Sequence, residues 1–307
     1  MNRKVPTNLP ASVHQRLLNL SQETGQEFNF LLGRYAIERL LYRLSQSRYA
    51  NQFVLKGALL FLVWELPVHR PTRDIDLLGS GDDSAAHLAQ VFQEICLAPV
   101  VPDGIAFDPA AIQVQPIREE QAYGGQRITL TALLGRAKIP TRVDIGFGDT
   151  VIPGAINSVY PALLAFPPPQ IQVYPKETVI AEKLHAMVAL DMTNSRMKDF
   201  FDLWTLARLF PFTGATLVQA IQATFERQRT PLPKSVPTAF TPEFSENPDK
   251  IRQWQAFVRR NGIETTGASL AQVVPELMTF LMPPIVAAAQ RQAFSASWEP
   301  GGPWDVA

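Results

Sequence analysis

The sequence predicts an α+β protein: a mixed β-sheet with flanking helices, followed by a C-terminal helical bundle. Three observations lead there. Of 307 residues, 46% are hydrophobic and only 18% charged, enough apolar matter for one large core or two modest ones and the opposite of a disordered chain's balance. Between residues 72 and 147 several stretches are extended and bounded by glycines, as half-buried strands are. Beyond LAFPPPQIQVYP, a proline-rich connector, the spacing of apolar residues turns almost wholly helical. The division expected is a sheet domain with N-terminal helices over 1–170, a helical domain over 171–295 and a flexible tail over 296–307.

Each element has its own warrant. A first helix carries Val13, Leu17 and Leu20, with Ser12 as N-cap and Gly25 as stop. A second, from about 26 to 45, keeps Leu31, Leu32, Tyr35, Leu40, Leu41 and Leu44 at helical spacing, so one face is buried. An extended segment at 53–55 precedes a short helix at 57–65, which is apolar on almost every side. Residues 72–78 read as a buried strand and 83–96 as a helix. Stretches 112–117, 127–134 and 138–147 then form an antiparallel meander. Helices are expected near 176–190, 197–210, 214–228, 248–261 and 269–281, with a polar loop over 229–248.

Composition narrows the function. Lys plus Arg and Asp plus Glu both total 28, so no overall basic field favours nucleic acid, although a local basic patch remains open. The single cysteine, Cys96, can form neither an internal disulfide nor a multi-cysteine metal site and reads as a small apolar core residue. The N-terminal stretch lacks a signal-peptide core and no later run reaches the ~18 apolar residues of a membrane span. A cytoplasmic protein without membrane contact is expected.

The strongest chemical signal is Asp74-Ile75-Asp76. Residues two apart in a strand share a face, so both carboxylates project together from an otherwise apolar strand. Such a pair repels and desolvates badly, and a hard divalent cation, Mg²⁺ or Mn²⁺, neutralises it directly. A solvated strand end with two aspartates is the plain alternative. Asp144, in TRVDIGFG, alternates with Val143 and Ile145 on a later strand. If the two strands are neighbours, three carboxylates gather, as sites that hold two ions for nucleotidyl transfer require. Lys56-Gly57 sits at a strand-to-helix turn, where glycine admits a phosphate to the backbone and a helix start favours anions.

Taken in order, FVLKGALLF, RPTRDIDLLG, TRVDIGFGD, KETVIAEKLHAM and RMKDFFDLWTL resemble the AbiEii/MenT family of nucleotidyltransferase toxins, a branch of the DNA polymerase β-like nucleotidyltransferases. The likeness runs from residue 53 to about 206. Family members often carry two glycines after the lysine, where this chain has Gly57-Ala58, and the Gly-Ser pair of the wider superfamily is missing. The resemblance implies a polymerase β-like catalytic sheet with a helical domain closing over an NTP. It assigns metal to Asp74 and Asp76, and makes Asp144 the third carboxylate or the base. Lys56, Gly57 and Thr72 would meet phosphate, Lys183 the triphosphate, and Asp199 would orient Lys183 or touch the nucleotide.

The residues themselves are less committal. Lys183 stands off the apolar stripe of Ile180, Leu184 and Met187, with Lys176 expected on the same face at the exposed start of the helix. Asp199 and Asp202, three apart, share a face, and Asp202 reads as a brace for its helix. His69 and His185 lack partners at metal spacing and read as ordinary hydrogen-bonded histidines. Arg118, Arg127, Arg136, Lys138 and Arg142 form either an RNA-contacting surface or a charged outer sheet face. The function expected is transfer of a nucleoside monophosphate from an NTP, with pyrophosphate released. By resemblance the acceptor is the 3′ end of tRNA, and the protein is the toxin paired with a cognate antitoxin. The rivals are a nucleotidyltransferase acting on protein or a small molecule, and a non-catalytic nucleotide-binding module.

Overall fold

The computed structural model describes residues 8–66, 72, 74–117, 124–263 and 267–305. They fall into two compact units, one of residues up to 148 plus 156–173, the other of 149–155 plus 174 onward.

The sheet unit opens with α1 (Leu9–Thr24), capped by the Asn8 side chain, which accepts from the Ala11 N–H, and closed by Gly25 at φ +70°. The cap therefore lies four residues before the expected Ser12, because Pro10 suits the first turn and extends the helix backward. The next helix, α2 (Phe28–Gln46), is buried on more than the single face expected. Besides its leucines it sequesters Glu38, Arg39 and Arg43. Arg43 grips Asp103 at 2.8 and 3.1 Å and adds the Ile105 carbonyl at 2.8 Å, so its charge is compensated inside the core.

The remaining elements are β1 (Phe53–Lys56), α3 (Leu60–Val63), β2 (Asp74–Gly79), α4 (Ala85–Cys96), β3 (Ile105–Phe107), β4 (Gln113–Ile117), β5 (Gly125–Leu134), β6 (Ala137–Phe147), β7 (Ile156–Val159) and β8 (Gln170–Val173). The sheet order is β3-β5-β6-β2-β1-β8-β7, with β4 also paired to β5. β2 runs parallel to β6 and β1 parallel to β8, while the other pairs are antiparallel, so the sheet is mixed as predicted. The expected meander is β4-β5-β6. Three strands were not foreseen. β8 sits inside what reads as a proline-rich connector, yet Ile171 and Val173 alternate into the core once β1 offers a ladder.

The helical unit holds α5 (Lys176–Leu190), α6 (Met197–Leu209), β9 (Phe212–Thr213), α7 (Gly214–Arg227), α8 (Pro242–Ser245), α9 (Pro248–Asn261) and α10 (Leu270–Gln290), then β10 (Ser297–Trp298) and β11 (Trp304–Asp305). α10 runs nine residues past its expected end, through Pro283 and Pro284. Pro284 has no N–H for the Phe280 carbonyl, and the Trp304 indole donates to it instead at 2.8 Å. The segment expected as a flexible tail is therefore tied down. β10 pairs with both β9 and β11, and the Trp298 indole, buried, donates to the Ala207 carbonyl at 2.7 Å. Among the described residues α10 alone is long and apolar enough for a membrane span, against the expectation of none. Its Leu277, Phe280, Leu281 and Ile285 are fully buried, which marks a core helix.

Candidate active site

Sheet register builds the site. Asp76 on β2 lies opposite Asp144 on β6, Asp144 opposite Arg127 on β5, and Asp76 opposite Lys56 on β1. Directly paired residues share a face, so four adjacent strands present one row, Arg127–Asp144–Asp76–Lys56, with cations outside and carboxylates inside. One row toward the start of β2, Asp74 faces Arg142, 3.6 Å from carboxylate to guanidinium. The opposite face carries Ile75, Leu77, Val143 and Ile145, all buried. The alternation that fills the core thus delivers the carboxylates to the other side.

Arg127 is the residue whose place differs most from expectation. It is not a free surface arginine: its Nε and Nη2 grip both oxygens of Asp144 at 2.7 Å each. The Asp144 hydrogen bonds, helped by the charges of Asp74 and Asp76, raise the guanidinium's pKa above its ordinary value despite an opposing desolvation. Asp144 is correspondingly committed. Among the described residues no three acidic, histidine or cysteine side chains stand as a ready-made metal cluster. The donor chemistry nonetheless suits a hard cation: three carboxylates, Asp74, Asp76 and Asp144, share one half-open face.

Gly57 completes this corner. Its φ is +73°, and a Cβ built there would overlap the Asp76 carboxylate. Glycine is required twice over, for the left-handed turn and for the close approach. Ala58, where the family favours a second glycine, is buried, so its methyl belongs to the core side of the turn. Thr72 precedes β2, its hydroxyl 3.5 Å from the Asp74 carbonyl.

The other expected residues lie in the helical unit. Lys183 on α5 sits between Asp199 at 2.7 Å and Asp202 at 2.8 Å, and Arg196 adds a second cation to Asp199 at 2.7 Å. Asp202 is thus an equal partner of Lys183 and more than a helix brace. Burial alone would push the Asp199 carboxyl up, but Lys183 and Arg196 outweigh it and hold it below its ordinary value. Lys176 is not exposed as expected. Its ammonium lies 4.3 Å from the Phe210 ring centroid, and burial lowers its pKa. His185 is hydrogen-bonded to Thr230 at 2.8 Å, as an ordinary histidine would be. Arg136, Lys138 and Arg142 remain exposed on or beside β6, while His69 and Arg118 lie outside the described residues. Arg127 and Asp202 were the residues sequence reasoning undervalued. The i, i+3 spacing in a helix was a signal for Asp202, whereas Arg127 stands out only once β5 is in register with β6.

A mixed sheet bearing paired carboxylates, with a lysine-glycine turn at the end of the neighbouring strand, defines a nucleotidyltransferase type of protein. The sequence profile described as "Nucleotidyl transferase AbiEii toxin, Type IV TA system" matches residues 39–277, and the chain belongs to that family. Two solved structures from Helicobacter pylori are similar at 15% identity: JHP933, with TM-score 0.48 over 85% of this chain and 90% of that one, and a proposed nucleotidyltransferase, with TM-score 0.45 over 85% and 93%. No curated protein matches significantly.

Proposed function

We propose that the chain moves a nucleoside monophosphate from an NTP to an acceptor hydroxyl, that the acceptor is the 3′ end of tRNA, and that this transfer is the toxic activity a cognate antitoxin restrains. The observation that carries this reading is the row Arg127–Asp144–Asp76–Lys56 with Asp74 on the same face. In the reaction the acceptor oxygen bonds to the α-phosphorus, the bond to the β-phosphate oxygen breaks, and pyrophosphate leaves.

Asp74 and Asp76 would hold Mg²⁺ or Mn²⁺. When bound, such an ion neutralises the phosphates and lowers the cost of charge on the attacking and leaving oxygens. Asp144, one strand over from Asp76, takes the proton of the acceptor hydroxyl or joins the metal ligands. In either role it must first be eased from Arg127, which fixes its orientation meanwhile. Lys56 and the left-handed Gly57 backbone receive the triphosphate on the β1 side, with Thr72 as a further hydroxyl donor. Lys183, braced by Asp199 and Asp202, meets phosphate only by exchanging a carboxylate for it. On β6, Lys138 and Arg142 share the face of Asp144 and form a short basic approach for an RNA backbone.

The test is incubation of purified protein with each labelled NTP, Mg²⁺ and total RNA. Label in the tRNA band that disappears with Asp76→Asn supports the reading. Label in protein or in a small molecule moves the acceptor elsewhere. No label with any NTP removes the catalytic reading.

A further inference from the structure

A cavity of about 730 Å³ opens in the sheet unit beside Asp74, with α2 on one side and the β5–β6 hairpin on the other. Its position follows from strand register. The first β2–β6 pair is Asp74 with Arg142, so residues 139–141 of β6 are paired to β5 on one side only among the described residues. Among the described residues, that leaves 139–141 as a strand edge along the cavity lining. Ile37, Leu130 and Ile139 give it an apolar floor, while Gln113, Thr129 and Thr131 supply donors and acceptors. Phe30 and Arg34 form one wall, the guanidinium 5.8 Å from the ring centroid. Among the described residues, the Arg34 Nη1 donates to the Gln26 side-chain oxygen at 3.5 Å. This is a concave site of small-ligand size, with a wall formed by an aromatic ring and a guanidinium.

We propose that this cavity seats the terminal unpaired nucleoside of the RNA acceptor, its base stacked against Phe30 and Arg34. The inference rests on the transfer reading above. Unpaired bases are taken up by such planes and by hydrogen bonds to their edges. Position assigns the cavity to the acceptor and not to the NTP. The lysine-glycine turn lies beyond Asp76 on β1, whereas the cavity opens on the other flank of β2, along Thr141 and Arg142 of β6 and Thr129 of β5. From Arg142 in its rim to Asp144 is two residues of strand, roughly 6.6 Å, a distance a seated nucleoside's ribose can bridge.

Gly33 provides the experiment. It lies inside α2, lines the cavity, and a Cβ there meets no heavy atom within 4 Å. Gly33→Phe should fill the cavity, with Gly33→Ala as the control that leaves it open and Phe30→Ala removing the stacking plane. The probe is a short fluorescent single-stranded RNA with a free 3′ hydroxyl, followed by anisotropy, beside calorimetric titration of each NTP. Wild type and Gly33→Ala should bind the RNA. Gly33→Phe and Phe30→Ala should each weaken it by about tenfold or more while NTP affinity stays put. Unchanged RNA affinity in both folded variants, or a wild type that binds no RNA, overturns the proposal. So does loss of NTP binding in Gly33→Phe, which makes the cavity the donor site. RNA binding that responds as stated without any label transfer upholds the cavity and removes only the transfer reading.

Discussion

The candidate-site carboxylates of the sheet unit stand partly in solvent, whereas Asp199 and Asp202 of the helical unit are sealed. Asp74 keeps 43% of its side chain exposed and Asp144 20%, against 0% for Asp199 and 1% for Asp202. Their partners differ likewise: Arg142 is 47% exposed and held at 3.6 Å, Lys183 is 14% exposed and held at 2.7 and 2.8 Å. Water screens the open set, so its ion pairs are worth little and exchange readily for a metal or a phosphate. The sealed set has two carboxylates balanced by Lys183 and Arg196, and removing one member strands a charge in a low dielectric. On the function proposed above, the open charges serve chemistry and the closed ones shape.

The largest effect should therefore fall on the closed set. Lys183→Met takes from the buried Asp199 and Asp202 the ammonium that both contact, leaving Arg196 on Asp199, and should cost about 3–5 kcal/mol in urea denaturation. The triple change that adds Asp199→Asn and Asp202→Asn should recover much of that. A fully stable Lys183→Met that has lost only NTP affinity would break the comparison and make Lys183 a phosphate ligand first. Next comes the open set. Asp76→Asn should lower transfer roughly 10²–10³-fold while the melting temperature holds or rises, because a repelling carboxylate is gone. A destabilised Asp76→Asn would mean that its charge is structural.

Arg127 tests the boundary between the two behaviours. Arg127→Leu should cost only about 1 kcal/mol of stability, as a half-exposed pair does. Without its guanidinium the three carboxylates become better cation ligands, so Mn²⁺ should bind more tightly by calorimetry even as transfer falls. If Mn²⁺ affinity is unchanged and RNA affinity drops instead, Arg127 is the RNA contact that its place in the sequence suggests. Gly57→Ala is expected to weaken the protein by about 1–2 kcal/mol through its positive φ alone, and further by displacing Asp76.

Much of this is legible in the sequence alone. Alternation placed Asp74 and Asp76 on one face, and the fold class followed from the switch of periodicity near residue 170. Pairing was not legible. That Asp144 lies opposite Asp76 depends on β6 running parallel beside β2, and nothing local to either strand encodes a neighbour. Arg127 looked like any other arginine of the meander until β5 was set in register against β6. β8 was hidden by its flanking prolines, whose composition says connector although the residues after them alternate. The C-terminal strands were hidden by Gly-Gly-Pro and by distance. The carbonyl that Trp304 satisfies is vacated by a proline twenty residues upstream.

The smallest effect is also the one that best separates the two units, because it isolates a closed group that carries no charge. His185 lies two residues after Lys183 on α5, with Thr230 on its Nε2 and the Phe225 ring edge-on at 5.2 Å. Burial lowers its pKa below the usual histidine value of about 6.5. The folded state then binds fewer protons than the unfolded chain as pH falls below about 6.5, so the stability this neutral ring contributes is present above that pH and lost on the way down. The slope cannot exceed one proton, about 1.4 kcal/mol per pH unit. His185→Gln keeps a hydrogen-bonding group toward Thr230 but cannot titrate, so it should flatten stability between roughly pH 5 and 6.5. The check is urea denaturation of both proteins across that range. If the wild type shows no slope there, the ring is wetter than its contacts indicate. If the slope survives in His185→Gln, another group carries it, and the helical unit is less closed than its aspartates imply.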